Sequence, residues 1–320
     1  MKKGKVVTMF VGIGLLIGLV LSGCSKNQDV SNTSESTTKD TIQIVVTIAQ
    51  IGEPMEMIGG ERVEVKSLMG PGVDPHLYEA TQGDITTLQN ADIILYNGLH
   101  LEGNMGEIFT KLSETKPTFA LGESLDQAML LTDDEGAIDP HIWFDLDLWK
   151  AALENATEEL IKYSPEDEDY FEKNKQSYFS QIDDIKADAI EKLSSIPQEK
   201  RVLVTAHDAF GYFGQMFNIE VVGLQGLSTE DEVGLSDIQS TIDLLVEKQV
   251  PSVFVESSIN QNSIQAVIEG AKKAGLDVSL GGELFSDAMG EAGTNEGSYL
   301  GMYEHNVDTI YHALKGGDEQ

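Results

Sequence analysis

The stretch PEDEDYFEKNKQSYFSQIDDIKADAIEKLSSI, residues 165–196, decides how the rest of the chain is divided. Phe171, Tyr178, Ile182, Ile185, Ala189, Leu193 and Ile196 fall on one stripe of a 3.6-residue period, the pattern of an amphipathic helix. Its start is marked. Ser164 can accept from the first-turn amides, Pro165 suits the first helical position, and Glu166, Asp167 and Glu168 favour the positive end of the helix dipole. Pro197 stops it. A helix of this length spans about 48 Å at ~1.5 Å per residue, the width of a small protein. It therefore reads as a rigid spine joining two lobes, with a solvated helix broken midway as the plainer alternative.

Short β-branched runs lie on either side of the spine, in two sets. TIQIVVTI (41–48), VEVKSL (63–68), DIILY (92–96) and PTFAL (117–121) precede it; RVLVTA (201–206), IEVVGL (219–224), PSVFVES (251–257) and DVSLGG (277–282) follow. The intervening segments carry apolar residues at helical steps, so each set predicts strand-helix alternation and a largely parallel sheet. The expected fold is α/β: two Rossmann-like lobes with parallel sheets, residues 41–163 and 198–320, joined by the helix at 164–197.

The first forty residues read differently. Lys2, Lys3 and Lys5 precede an apolar run from Val6 to Leu21, a signal-peptide pattern over residues 1–23. That run falls short of the ~20 residues a spanning helix needs. Leu21-Ser22-Gly23-Cys24 looks like the lipobox of bacterial lipoproteins, in which the cysteine takes the lipid. Cys24 is the only cysteine, so no intramolecular disulfide competes for it. Residues 24–40 then form a tether, because SKNQDVSNTSESTTKD holds one apolar residue, Val30, and cannot bury enough surface to order itself. The chain carries a formal charge of −33, and loss of three leader lysines takes it to −36. Such acidity disfavours nucleic acid and bare anionic lipid as partners, so residence at a membrane requires the anchor on Cys24.

The phrase Asp-Pro-His occurs twice, at 74–76 and 139–141. Proline fixes its own backbone and keeps the preceding residue extended, so His76 and His141 are each presented from a stiff turn beyond a predicted strand. His207 stands at the end of the second set's first strand, and Asp287 lies beyond its last. Open α/β sheets place ligands at these strand ends. Two histidines of one lobe with a histidine and an aspartate of the other could converge in the cleft as three nitrogens and an oxygen, although spacing alone does not require it. Glu256 can fix a histidine tautomer from outside that set or be a plain strand-end acid. His100, His305 and His312 read as structural or solvated, and the acid runs Asp133–Glu135 and Glu166–Asp169 as exposed faces. No phosphate-binding glycine loop and no Ser/His/Asp triad motif stands out.

The segments at 70–103, DPHIWFD, VLVTAHDAFGYFG, GLSTEDEVGLSDI, VFVESS and LFSDAMG resemble the cluster A-I, TroA-like metal-binding lipoproteins of bacterial ABC importers, over roughly residues 41 to 315. The resemblance implies two α/β lobes joined by one long helix, with a metal in the interlobe cleft on His76, His141, His207 and Asp287. It also implies an extracytoplasmic, lipid-anchored receptor that is no enzyme and hands its cargo to a membrane permease driven by a cytoplasmic ATPase. Many manganese-specific relatives place a glutamate where this chain has His207, whereas the TroA-like branch and some manganese proteins share the three-histidine set. The chain lacks the His-rich loop that many zinc relatives carry before the second histidine, and the Asp287 oxygens suit manganese. The expected cargo is Mn(II), with Zn(II) as the alternative. A metal hydrolase is a distant third reading, since it needs an open coordination position and a general base, for which Glu256 is the only evident residue. No sequence feature supports an adhesin.

Overall fold

The computed structural model describes residues 41–315; the signal peptide, Cys24 and the tether expected over residues 1–40 lie outside them. All eight predicted strands form, with ends displaced by at most two residues. In the first half β1 (Ile42–Val46), β2 (Val63–Ser67), β3 (Ile93–Tyr96) and β4 (Thr118–Ala120) make one parallel sheet in the order β2-β1-β3-β4. Helices α1 (Ala49–Gly59), α2 (Gln82–Asn90) and α3 (Gly106–Ser113) connect them, and α4 (Leu146–Tyr163) leads to the spine. β1 and β3, the two central strands, are buried almost throughout, which is why they read as apolar runs broken only by Gln43 in β1.

The spine is realised with a different entrance. Pro165–Asp167 is a 3-10 turn, and α5 runs from Glu168 to Ser194. Ser164 makes no capping bond to an amide; its hydroxyl donates to Asp167 Oδ2 at 2.7 Å. Asp167 is thereby buried, with Arg62 Nε 3.4 Å from its Oδ1, and is not part of an exposed acidic face. Every residue of the predicted stripe is buried, and Lys175 joins it by reaching Glu154 at 2.6 Å and Glu172 at 2.7 Å. α5 packs on α1, α4 and α9 (Tyr299–Lys315), so it touches elements from both halves.

The second half holds β5 (Val202–His207), α6 (Gly211–Phe217), β6 (Glu220–Gln225), α7 (Leu235–Lys248), β7 (Ser252–Glu256), α8 (Asn262–Lys273) and β8 (Ser279–Leu284). Its strands form two parallel pairs, β5–β6 and β7–β8, with β5 packed beside β7. Where those two strands end, a side chain takes the place of a ladder bond: the His207 amide donates to Glu256 Oε1 at 2.8 Å. The halves are cemented by aromatic rings, with Phe144 of the first against Phe210, Phe213 and Tyr303 of the second, and by the Tyr299 and Tyr303 hydroxyls donating to Trp143 O and Phe144 O. No helix among the described residues is long and apolar enough to cross a membrane.

Candidate metal centre

Two proline turns in the first half and two strand ends in the second supply the site. After β2, the Leu68 and Met69 amides still donate to Val46 O and Thr47 O, so the chain leaves the sheet in register before Pro75 turns it. Asp74 Oδ1 then accepts from the His76 amide at 2.9 Å. Beyond it, the Tyr78 hydroxyl donates at 2.8 Å to Asp84, the residue that closes the capping box of α2. The second Asp-Pro-His turn repeats the amide bond, Asp139 Oδ1 accepting from His141 N at 2.9 Å, and adds a contact of 2.7 Å to the ring Nδ1. Tyr212 and Asn97 hold this turn through the carbonyls of Asp139 and Pro140, at 3.0 and 2.9 Å. His207 is the last residue of β5. Asp287 lies just past β8, where the Ser286 carbonyl accepts from Gln50 Nε2 and Trp143 Nε1, at 3.0 and 3.2 Å, both from the first half.

These turns bring His76, His141, His207 and Asp287 to one point, with one ligand atom of each within 4.8 Å of all the others. All four are buried, none more than 2% exposed. His141 Nε2 lies 3.3 Å from Asp287 Oδ1 and 3.4 Å from His207 Nε2, while Asp287 Oδ2 is 3.3 Å from His207 Nε2 and 3.7 Å from His76 Nε2. A tetrahedron with bonds of ~2.0–2.1 Å has edges of about 3.4 Å, so these separations suit one divalent ion. His76 Nε2 has no hydrogen-bond partner among the described residues, and the Asp287 oxygens face only the Nε2 atoms of the three rings, at 3.3 to 3.7 Å. Buried polar atoms left this way are costly unless something coordinates them.

The electrostatics follow from the same geometry. Burial, reinforced by the other two rings and partly offset by Asp287, pushes His76 down to about 3. Burial also opposes charge on His141, but Asp139 and Asp287 outweigh it and lift the ring to about 9. His207 goes the same way: burial is overcome by Glu256 and Asp287, which raise it well above the ordinary histidine value. Burial would raise Asp287, yet His207 and His141 hold it well below the usual carboxylate range. Glu256 is fully buried with Oε2 2.5 Å from His207 Nδ1. Asp139 stands to His141 as Glu256 stands to His207. A carboxylate accepts only, so each ring, when neutral, carries its proton on Nδ1 and turns the Nε2 lone pair inward.

The other sequence candidates stand apart. His100 and His312 are exposed; His305 is half-buried, its Nε2 at 3.0 Å from Glu283 O and its ring against Phe285. Asp133, Asp134 and Glu135 are exposed, as are Glu166, Glu168 and Asp169. Sequence reasoning missed Asp139, Gln50 and Trp143. The available signal for Asp139 was its place two residues before a histidine in a proline turn; Gln50 and Trp143 had none, since their partner is a distant backbone carbonyl.

The sequence profile of the family described as zinc-uptake complex component A, periplasmic, matches residues 44–313. The manganese-binding lipoprotein MntA of Bacillus subtilis (strain 168) is 45% identical over 302 residues, 94% of this chain and 97% of that protein. The zinc-binding protein TroA of Treponema pallidum (strain Nichols) is 46% identical over 271 residues, 85% of this chain and 88% of that protein. The solved structure of periplasmic TroA superposes with a TM-score of 0.84 at 46% identity, covering 86% of this chain and 99% of that one.

Proposed function

The chain belongs to the zinc-uptake complex component A family, and from that premise we propose that it is the extracytoplasmic receptor of an ABC importer, capturing Mn(II) for delivery to a membrane permease and its cytoplasmic ATPase. His76, His141, His207 and Asp287 hold the ion. Asp139 and Glu256 orient the rings of His141 and His207. In this reading residues 1–23 are removed as a signal peptide, Cys24 carries the lipid, and residues 24–40 tether lobes 41–163 and 198–320 across the linking helix.

One observation carries the assignment: four buried ligand atoms from both halves meet at the spacing of a single coordination sphere. Both Asp287 oxygens face the centre, Oδ1 towards His141 and Oδ2 towards His207 and His76. That favours manganese, which accepts more oxygen than a tetrahedral zinc site supplies. Zinc is the second reading, supported by the three imidazoles and the tetrahedral edge lengths. The hydrolase reading is the less favoured, because Glu256 faces both the amide and the ring of His207.

The test is metal analysis of protein purified without chelator or nickel affinity resin, followed by competition between Mn(II) and Zn(II). One equivalent of bound ion is expected. Alanine at His76, His141, His207 or Asp287 should each weaken binding strongly, while His305→Ala and His312→Ala bind as the parent does. A His207→Ala protein with parental affinity would remove that residue from the site.

A further inference from the structure

The two Asp-Pro-His turns look alike in sequence but differ in what their aspartates do. Asp139 spends one oxygen on its own histidine's amide and ring. Asp74 likewise accepts from the His76 amide with Oδ1, but its Oδ2 accepts from the Thr229 hydroxyl at 2.6 Å, a partner 155 residues away in the other lobe. We propose that this Thr229–Asp74 hydrogen bond is a latch between the lobes that sets how fast the captured ion leaves.

The surroundings give the bond mechanical reach. Thr229 is buried in the loop between β6 and α7, and Gln225 Nε2 ties that loop down by donating to Thr229 O at 2.8 Å and to Asp231 O. Gln225 is the strand partner of His207 in the β5–β6 register. On the other side, Asp74 is joined to His76 through Pro75 alone. The latch therefore links the turn that carries one ligand to the strand end that carries another, across the cleft.

Its position marks it as a rim contact. The other cross-lobe bonds near the site, from Gln50 and Trp143 to Ser286 O and from Tyr212 to Asp139 O, join fully buried groups. Asp74 is only half-buried, and its neighbour Leu77 is 53% exposed. Beside it lies a cavity of about 450 Å³ lined by His76 and by Gly226, Leu227 and Ser228, the residues leading into Thr229. Freeing those three residues opens the side of the site on which His76 stands.

The inference rests on the receptor reading, and its test separates the two. Mn(II) dissociation into excess chelator would be followed through Trp143, whose ring lies 5.4 Å from that of His141. Thr229→Val keeps the shape and removes the hydroxyl; a bond to a charged acceptor predicts dissociation faster by roughly tenfold or more. The association rate should stay near the parental value, and Thr229→Ser, which restores the hydroxyl, should return dissociation towards it. Should Thr229→Val misfold, Thr229→Ala carries the same comparison. A folded Thr229→Val protein that binds Mn(II) and releases it at the parental rate overturns the latch alone. A parent protein that binds neither Mn(II) nor Zn(II) overturns the receptor reading and the latch with it.

Discussion

At His141, His207 and His76 one burial effect ends in opposite shifts. The carboxylates beside His141 and His207 shift those two rings towards the charged form, His141 up to about 9, while burial drives His76 down to about 3. A metal ion requires neutral imidazoles, so it must displace whatever proton His141 and His207 share beyond their neutral forms and none from His76. Affinity should therefore rise with pH below about 9, by up to roughly tenfold per unit for each proton displaced. Calorimetric titrations in buffers of different protonation enthalpy count the protons directly. Release of none would show that the rings are neutral before the ion arrives. For the metal-free protein the sign is reversed: the ion pairing of His141 stabilises fully below its unfolded value near 6.5 and is lost as pH climbs through about 9. Much of this was legible. The doubled Asp-Pro-His phrase and the family likeness pointed to the residues now found together, but the charge state was not, because it depends on Asp139 and Glu256, whose places only the folded chain determines. Asp139→Ala should lower metal affinity by about 10- to 100-fold with little change in far-UV circular dichroism.

The elements were more legible than their joints. β-branched runs and period-3.6 patterns report burial, and burial is what places β1 and β3 at the centre of the first sheet, β5 beside β7, and the α5 stripe against α1, α4 and α9. Ile182, in the middle of that stripe, is fully buried. Ile182→Ala should destabilise the protein by ~2–5 kcal/mol through lost burial and the cavity left behind, read from chemical denaturation. The metal affinity of the folded fraction should be unchanged, because none of the four site residues lies on α5. Joints made by side chains left no local signature. Ser164 carries a capping residue's identity, yet a buried Asp167 beside Arg62 claims its hydroxyl. The abutment of β5 and β7 depends on Glu256 reaching a backbone amide 49 residues away. The loop after β3 runs through three successive left-handed residues, Gly98, Leu99 and His100, and is held by Glu102 accepting from Thr47, Asn97 and Gly98. Leu99 and His100 in that conformation are not readable from propensity, since their side chains normally avoid it.

For the molecule as a whole, tight binding and useful delivery are separate requirements. Divalent affinities at nitrogen and oxygen sites rise from manganese towards copper, with zinc well above manganese, so this site should bind Zn(II) at least as tightly as Mn(II) in vitro. Tight zinc binding therefore does not identify the cargo. On the proposed reading release does, because an ion held by ligands from both halves would leave as they part. Three imidazoles and one carboxylate oxygen hold zinc in the tetrahedral geometry it prefers. Manganese, drawing on both oxygens of Asp287, is held by harder and weaker bonds that yield more readily as the lobes separate. On this argument cells lacking the protein should starve first of manganese, measured as growth restored by added Mn(II) and not by Zn(II). His207→Glu, which exchanges an imidazole for an oxygen ligand, should keep manganese uptake while weakening zinc binding in competition titrations. A deletion strain that is rescued by zinc and indifferent to manganese would make zinc the cargo, and the two inward-facing oxygens of Asp287 would then serve to neutralise His141 and His207 before the ion arrives.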